Sequence, residues 1–369
     1  MSALADRIRA ELARVDDPEL RRPLTELGMI GAVEADGAGP VRVELLLTIV
    51  GCPAAGRIEA DARAAIERAV GDRPYDLEVG VMTKAQRDEL VALVRAGRPS
   101  GNPFGEGSLT RVVAVTSGKG GVGKSTATVN LAAQLAADGL AVGIVDADVH
   151  GFSIPGLLGM APGTQPTQVG ELMLPPVAHG VSAISIGMFL RSPDEVVAWR
   201  GPMLHRTLEQ FLTDVHFGDL DVLLLDLPPG TGDIAISLGQ LLPGAEAVVV
   251  TTPQPAAAEV AWRSGAVARK TGMRVVGVLE TLSPATGPDG ARFALFGEGG
   301  GAAVAERLDV PLLAQVPIST PLREAGDAGA PIVLAHPGDP AAIALREAAR
   351  AIARRPRGLA GRPLGLSPA

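Results

Sequence analysis

The sequence predicts an α/β fold, with a mostly parallel, doubly wound sheet that follows a small N-terminal α/β domain. Seven apolar runs rich in Val, Ile and Leu alternate with helical or loop sequence, at residues 111–116, 141–146, 181–186, 221–226, 246–251, 274–280 and 312–316. Strands as apolar as these are typical of parallel sheets covered by helices on both faces. A glycine-rich segment or acidic residues stand at the carboxyl ends of three of the runs. In α/β sheets, ligands bind at the edge where the carboxyl ends of the strands lie.

The small N-terminal domain is expected to occupy residues 1–95. Its predicted elements are a charged helix at 3–15, strands at 29–34 and 41–50, an amphipathic helix at 57–70 and a strand at 77–82. Residues 96–110 are rich in Gly, Pro and Ser and lack apolar periodicity, which predicts a flexible linker. The larger domain is then expected at 111–355, followed by a disordered tail at 356–369.

Composition excludes several classes of protein. The chain of 369 residues has one cysteine, so a disulfide framework is not expected and a reducing compartment, the cytoplasm, is predicted. No apolar run approaches the length of a membrane span, and the N-terminus lacks the features of a signal peptide. A net charge of −8 argues against nucleic acid as a partner.

Residues 118–125 read GKGGVGKS and match the phosphate-binding pattern G-x-x-x-x-G-K-S/T. In this pattern, glycines allow successive backbone N–H groups to turn toward phosphates. Lys124 is predicted to reach the β- and γ-phosphate oxygens, and the Ser125 hydroxyl is predicted to bind Mg²⁺. The predicted nucleotide contacts in the loop and the helix after it are Gly118, Gly120, Gly121, Val122, Gly123, Lys124, Ser125 and Thr126. The loop therefore indicates a P-loop ATPase that uses ATP and Mg²⁺.

Two further strand ends supply carboxylates. Asp146 ends the run at 141–146, Asp148 lies two residues after it, and Asp226 ends the run at 221–226. Beside a phosphate loop, Mg²⁺ and its water shell need such support, so Asp226 is predicted to hold the metal and Asp146 to support its shell. Asp148 is predicted to orient or deprotonate the attacking water. The alternative for each acid alone is a solvated strand end or a helix cap.

Several sequence blocks resemble one family. The loop KGGVGKS is similar to the deviant form found in MinD, ParA, nitrogenase iron protein and Mrp ATPases. The blocks WRGPM at 199–203, DLPPGTGD at 226–233, TTPQ at 251–254 and FGEGGG at 296–301 resemble the Mrp/ApbC family of iron–sulfur cluster carrier ATPases. DPEL at 17–20 and GCP at 51–53 resemble the small domain found on such carriers and on other iron–sulfur assembly factors.

The resemblance implies a homodimer with two ATP molecules at its interface, and apo iron–sulfur proteins or assembly factors as partners. It implies that Lys119 crosses the dimer to the partner's nucleotide, as a catalytic cation whose dependence on dimerisation makes turnover slow. Otherwise Lys119 is an ordinary surface lysine. It also implies that Thr252, Pro253 and Gln254 lie near the nucleotide base.

The chain departs from the family at the cluster ligands. Family members usually carry C-x-x-C before the FGEGGG block, and two such motifs hold a bridging 4Fe–4S cluster. Residues 283–293 here read SPATGPDGARF, without cysteine, although such clusters need thiolates. Cys52 precedes a predicted helix, which would activate it for metal or sulfur handling, or it is a small buried apolar residue. Thr281 stands where family members tend to have Asn.

The predicted function is therefore a Mg²⁺-dependent ATPase that acts in the assembly or transfer of iron–sulfur clusters. The alternative is a nucleotide-switched scaffold of the ParA/MinD kind, which binds partners and holds no cluster. The missing thiols favour the scaffold, whereas the N-terminal domain and the family-specific blocks favour the carrier.

Overall fold

The structure is a computed structural model that describes residues 3–36, 39–96, 101–105, 107–149, 151–190, 201–230, 233–287 and 290–354. The tail predicted at 356–369 lies outside these residues, as do the Trp and Arg of the WRGPM block.

The helices are α1 (Ala3–Leu12), α2 (Ala55–Val70), α3 (Lys84–Arg95), α4 (Lys124–Ala137), α5 (Ile154–Leu157), α6 (Gly201–Thr213), α7 (Asp233–Leu241), α8 (Pro255–Lys270), α9 (Gly300–Arg307), α10 (Thr320–Asp327), α11 (Ile332–Ala335) and α12 (Pro340–Ala353). The strands are β1 (Ile30–Glu34), β2 (Val41–Leu47), β3 (Tyr75–Val81), β4 (Arg111–Ser117), β5 (Val142–Asp146), β6 (Thr167–Val169), β7 (Leu172–Leu174), β8 (Val177–Ala178), β9 (Val181–Ser185), β10 (Val222–Asp226), β11 (Glu246–Thr251), β12 (Arg274–Ser283), β13 (Ala285–Thr286), β14 (Arg292–Phe293) and β15 (Leu312–Pro317).

The chain folds into two compact units. The first contains Met1–Gly101, Thr164–Val177 and Thr213–Gly218, and the second contains Asn102–Gly163, Ala178–Leu212 and Asp219–Ala369. The first unit thus takes two short segments from the sequence predicted for the larger domain. Hydrophobic burial explains the first of these, because Val169, Leu172 and Leu174 of the β6–β7 hairpin lie in the core of the first unit.

The predicted linker at 96–110 differs from the structure in its second half. Phe104 is buried, and the Asn102 side chain donates a hydrogen bond to the carbonyl of Leu241, both within the second unit. An apolar ring and a partnered amide hold this stretch against the unit, so residues 102–105 are not a free linker. Residues 97–100 and 106 are outside the described part.

The first unit is built on the three-stranded sheet β1-β2-β3. Strand β2 pairs antiparallel with β1 and parallel with β3. Val41, Val43 and Leu45 alternate with more exposed residues along β2, so one face of the sheet is apolar. Helix α2 buries Ile58 and Ile66 in the same core. Helix α3, which is not among the predicted elements, begins at a capping box formed by Thr83 and Gln86.

Two carboxylic acids, Asp17 and Glu19, are buried in the first unit, each 2 % exposed. Asp17 accepts hydrogen bonds from the backbone N–H groups of Glu19 and Leu20, at 2.9 and 2.8 Å. Glu19 accepts one from the Thr167 hydroxyl at 3.1 Å. Burial, and then the negative charge of Asp17, raises the pKa of Glu19 to about 8. Glu19 is therefore protonated in the folded protein well above the pH at which it ionises in the unfolded chain.

This raised pKa predicts a pH-dependent stability. The stabilising contribution of Glu19 is fully present below pH 4.5, its ordinary pKa, and is lost as the pH rises through about 8. We expect Glu19→Gln, which cannot ionise, to gain about 1–3 kcal/mol in free energy of unfolding over wild type at pH 8.5. The gain should shrink toward zero at pH 5. Urea unfolding of both proteins at the two pH values measures it.

Glu26→Gln is the matched control for this prediction. Glu26 is exposed and hydrogen-bonded to Arg22, which lowers its pKa. Its substitution should therefore bring no gain in stability at high pH. A Glu19→Gln variant whose difference from wild type is the same at both pH values would show that burial does not control the ionisation of Glu19.

The second unit is built on an eight-stranded sheet in the order β15-β12-β11-β4-β10-β5-β9-β8. The seven strands from β15 to β9 pair parallel, as predicted, and correspond to the seven apolar runs. Helices α4 and α12 contribute Leu131, Leu135 and Leu345 to the core. The predicted fold class is confirmed. Among the described residues, no helix combines the length and the apolarity that crossing a membrane requires.

The register of the sheet brings three predicted features to one edge. Asp226 at the end of β10 is paired with Val115 of β4 and with Asp146 at the end of β5. The loop that follows β4 therefore begins beside Asp226, and Asp146 lies one strand further along the sheet. The carboxyl ends of parallel strands meet at one edge of the sheet, and this edge carries the candidate site.

Candidate functional site

Three of the four glycines in the loop at 118–123 have a structural reason. Gly121 and Gly123 have φ values of 76° and 72°, in the left-handed region that glycine adopts without strain. A Cβ on Gly118 would lie 2.3 Å from the backbone carbonyl carbon of Val260 on α8. Side chains at these positions would block the turn or the close approach. Helix α4 begins immediately after Gly123, with its N-terminus at the loop.

Lys124 lies between two of the predicted acids. Its Nζ is 2.7 Å from Oδ2 of Asp226 and 3.6 Å from Oδ2 of Asp148, and the side chain is 6 % exposed. The structure thus brings together three residues that the sequence predicted from separate segments. The ammonium group shows that the space between the two carboxylates stabilises a positive charge.

Asp226 is fully buried and receives hydrogen bonds on both oxygens. Oδ2 accepts one from the Ser125 hydroxyl at 2.6 Å, in addition to Lys124. Oδ1 accepts one from the Thr128 hydroxyl at 2.8 Å. Thr128 is a site residue that the sequence analysis missed. The signal was its spacing, because residues three apart on a helix lie on the same face and Thr128 follows Ser125 by three.

The donor set fits Mg²⁺. Ser125 and Asp226 offer hydroxyl and carboxylate oxygens, which are the ligands that this hard cation prefers. Within the described part of the chain, no three Asp, Glu, His or Cys side chains are grouped closely enough to hold a metal ion by themselves. Proteins usually bind Mg²⁺ through one or two carboxylates together with substrate phosphates.

Asp146, at the end of β5, accepts hydrogen bonds from three groups around it. It is fully buried, and its Oδ1 accepts a hydrogen bond from the backbone N–H of Asp148 at 3.2 Å. Its Oδ2 accepts one from the Ser185 hydroxyl at 2.9 Å and one from the backbone N–H of Ile154 at 3.4 Å. Burial, and then the charge of Asp226, raises the pKa of Asp146 to about 7. Asp146 thus holds the segment that carries Asp148, and its predicted support of the metal shell stays a prediction.

The turn after Asp226 is fixed against the end of β4. The backbone N–H of Leu227 donates to the carbonyl of Val115 at 3.1 Å, and that of Gly230 donates to the carbonyl of Ser117 at 2.8 Å. The Ser264 hydroxyl on α8 donates to the carbonyl of Gly230 at 3.3 Å. Residues 231 and 232 of the DLPPGTGD block are outside the described residues.

Lys119 is exposed at the mouth of the loop. Its Nζ lies 3.3 Å from the side-chain oxygen of Gln254. Thr252 is buried at the end of β11, and its hydroxyl has no hydrogen-bond partner among the described residues. Gln254 therefore lies beside Lys119, in the segment that follows β11.

A cavity of about 450 Å³ opens beside the start of α4. Its walls near the loop include Gly123, Thr126 and Ala127. The remaining walls are mainly apolar and come from the end of β12, the end of β15, and α5, α10 and α12: Leu157, Thr281, Leu282, Val316, Pro317, Ile318, Ser319, Thr320, Leu322, Arg323, Gly326, Asp327 and Leu345. An apolar cavity next to a phosphate loop suits a nucleoside. Thr252, Pro253 and Gln254 are not among its walls, and their place near the base stays a prediction.

Thr281 connects the cavity to the loop. Its buried hydroxyl lies 2.6 Å from the carbonyl oxygen of Val122 and 3.0 Å from that of Thr251. The next residue, Leu282, lines the cavity with φ 52°, a conformation that is uncommon for a residue with a side chain. The pairing of β12 with β15 is irregular at this point, between Glu280 and Ser283. Thr281 therefore fixes the loop to the sheet, and its hydroxyl proton is already used by these carbonyl groups and not by a nucleotide base.

Cys52 lies in the first unit, just before α2, and is 6 % exposed. Burial, and then the charges of Glu19 and Asp17, raises the pKa of the Cys52 thiol to about 11. Hydrogen bonds from the backbone N–H groups of Ala54 and Ala55 oppose this rise without outweighing it. The predicted activation by a helix N-terminus is therefore overridden, and the thiol is protonated at neutral pH.

The comparisons with known proteins agree with this geometry. The family described as NUBPL iron-transfer P-loop NTPase matches residues 108–353. The chain belongs to this family. A second family, described as iron–sulfur cluster assembly protein, matches residues 5–73. The resemblance to the cluster-carrier P-loop NTPases and that of the N-terminal segment to assembly factors are both confirmed.

Relatives of the family include the iron–sulfur cluster carrier protein of Mycobacterium tuberculosis, which is 53 % identical over 369 residues, 98 % of this chain and 96 % of that protein. A nucleotide-binding protein from Archaeoglobus fulgidus, solved in complex with ADP, is 36 % identical, with a TM-score of 0.53 over 60 % of this chain and 87 % of the other. The cell division ATPase MinD of Pyrococcus furiosus, at 23 % identity, has a TM-score of 0.50 over 66 % of this chain and 98 % of its own. This last likeness concerns the fold alone.

Proposed function

We propose that this protein is a Mg²⁺-dependent ATPase that works as a homodimer in the cytoplasm and serves the assembly or transfer of iron–sulfur clusters to apo-proteins. One observation carries the proposal: Lys124, Ser125, Asp148 and Asp226 converge at a glycine loop beside a nucleoside-sized cavity. The ADP-bound relative from Archaeoglobus fulgidus supports the nucleotide. The shared family with cluster carriers supports the process.

Each residue has a role that its position allows. Lys124 leaves Asp226 for the β- and γ-phosphate oxygens of bound ATP, while Ser125 and Asp226 hold the metal ion. Bound Mg²⁺ supplies positive charge that offsets the charge of the phosphates. Asp148 is fixed by the backbone N–H of Gly151, which donates to its Oδ1 at 3.1 Å. Its Oδ2, near Lys124, orients the attacking water and accepts its proton.

Lys119 completes the site of a second copy. Its neighbour Gln254 offers a neutral amide oxygen at 3.3 Å, a weak contact for an exposed ammonium group. Lys119 can therefore leave this position when two copies meet around nucleotide. The charge it adds to the partner's phosphates stabilises the transition state. Because hydrolysis then requires the dimer, turnover is slow.

The chain's own thiols do not fit a 4Fe–4S cluster. Such a cluster takes four thiolates, whereas two copies of this chain supply two cysteines in total. Both would be Cys52, which is buried and protonated. We therefore assign the chain the ATP-driven step of cluster handling, in which the cluster is a substrate whose thiolate ligands come from a client protein or an assembly factor.

This assignment predicts that the isolated protein gains no stable cluster. Anaerobic reconstitution with iron and sulfide should give no thiolate-to-iron charge-transfer absorbance in the wild type or in Cys52→Ser. An absorbance band present in the wild type and absent from Cys52→Ser would contradict the assignment and make Cys52 a ligand.

The second candidate function is a nucleotide-switched scaffold, which the missing thiols also favour. Transfer of a cluster from a loaded assembly protein to an apo-ferredoxin separates the two. A carrier-family ATPase should accelerate the transfer with Mg²⁺–ATP, and Lys124→Ala should not. If the wild type binds Mg²⁺–ATP and transfer stays at the uncatalysed rate, the scaffold is the correct function.

A further inference from the structure

Thr128 makes a contact that the proposed mechanism does not yet use. It is fully buried on α4, with its hydroxyl 2.8 Å from Oδ1 of Asp226 and 3.0 Å from the carbonyl oxygen of Lys124. A threonine hydroxyl has one proton to donate. The carboxylate is the stronger acceptor, because hydrogen bonds to ionised groups are about twice as strong as neutral ones. The Thr128 proton therefore goes to Asp226.

The two oxygens of Asp226 consequently have different partners. Oδ2 faces the Ser125 hydroxyl and Lys124, whereas Oδ1 has Thr128 as its donor. The terminal torsion of an aspartate side chain is broad, so the carboxylate plane is not fixed by the backbone alone. A donor on Oδ1, held by a helix, fixes that plane and keeps Oδ2 next to the Ser125 hydroxyl.

We propose that Thr128 is a positioning residue for the cation site, which holds the Asp226 carboxylate so that its Oδ2 and the Ser125 hydroxyl face the metal ion together. The inference deepens the proposed Mg²⁺–ATP function and rests on it. Threonine is suited to the position because it is β-branched, and a buried β-branched side chain on a helix has few rotamers. The Thr128 hydroxyl therefore already points at Asp226 before the metal ion binds, and little side-chain entropy is lost on binding.

The test uses the full-length protein and separates metal from nucleotide. Thr128→Val keeps the shape and removes the hydroxyl, whereas Thr128→Ser keeps the hydroxyl. We measure the affinity for ATP by calorimetry in EDTA, and the apparent affinity for Mg²⁺ by titration at saturating ATP. Outer-shell partners of metal ligands typically contribute about 10–100-fold to metal affinity. We expect a loss of that size in Thr128→Val, recovery to within about threefold in Thr128→Ser, and unchanged ATP affinity in EDTA.

A control variant separates the effect on the metal site from a general structural effect. Thr116→Val removes another buried threonine hydroxyl, which is paired with Ser264 at 2.8 Å, and should leave Mg²⁺ affinity unchanged. Thr128→Ala replaces Thr128→Val if the valine variant does not fold. Unchanged Mg²⁺ affinity in the hydroxyl-free variant, or an equal loss of ATP affinity in EDTA, overturns the inference. If the wild-type protein binds ATP equally well with and without Mg²⁺, the Mg²⁺ role of the proposed function is overturned as well. The wild type alone shows this outcome, before any variant is compared.

Discussion

Lys124→Ala is expected to abolish ATP binding, with a loss of at least about 100-fold in affinity. The substitution removes the positive charge that the loop offers to the β- and γ-phosphates. It also leaves Asp226 and Asp148 without the cation that now lies 2.7 and 3.6 Å from them. Two buried carboxylates repel added phosphate charge, so the loss should exceed that of one ordinary contact. Isothermal titration calorimetry with Mg²⁺–ATP measures it.

Lys270→Ala is the control for this result. Lys270 is an exposed lysine at the end of α8, so its removal should leave the affinity for ATP unchanged. Circular dichroism must show that Lys124→Ala is folded, because breaking a buried ion pair costs about 3–5 kcal/mol. A folded Lys124→Ala variant that binds ATP like the wild type would remove the basis for the nucleotide site.

Lys119→Ala is expected to keep ATP binding and lose hydrolysis, with turnover reduced about 10³-fold or more. The reason is its position. Lys119 is exposed and contacts Gln254, whereas Lys124 is the lysine that lies beside Asp226 and Asp148, so ATP bound in its own subunit does not depend on Lys119. Phosphate release by each variant at saturating ATP gives the turnover, and calorimetry gives the affinity.

Mixing two inactive variants tests whether Lys119 acts across the dimer. In a mixed dimer, the Lys119→Ala subunit binds ATP through its intact Lys124, and the Lys124→Ala subunit supplies Lys119 from the other side. An equal mixture should therefore recover up to about a quarter of wild-type activity, because half of the dimers are mixed and each has one complete site. No recovery, in variants shown to form mixed dimers, would place Lys119 in the site of its own subunit.

The nucleotide site could be read from the sequence because its parts are local. The glycines, Lys124 and Ser125 are contiguous, and Asp226 ends an apolar run whose register with β4 follows from the sheet. Thr128 could not be assigned in the same way. Its role depends on which oxygen of Asp226 its hydroxyl contacts, and that is decided by how α4 packs on the sheet.

The fold shows the same division between local and long-range information. Helix α3 has a local signal, the Thr83 and Gln86 capping box, which the sequence analysis did not use. The place of the β6–β7 hairpin has no local signal, because a short apolar strand such as Leu172–Leu174 fits any core. The pKa of Cys52 also depends on distant residues, since Glu19 and Asp17 precede it by more than thirty positions.

The three-segment construction of the first unit limits how the protein can be divided for study. A fragment that stops at Gly101 would lack Val169, Leu172 and Leu174, whose side chains are almost fully enclosed in that unit. It would also lack the hydroxyl of Thr167 that pairs with Glu19. Expression of the N-terminal portion alone would therefore give a protein with a gap in its interior. An N-terminal portion that is expressed by itself must therefore include residues 164–177, joined to it through a designed connection.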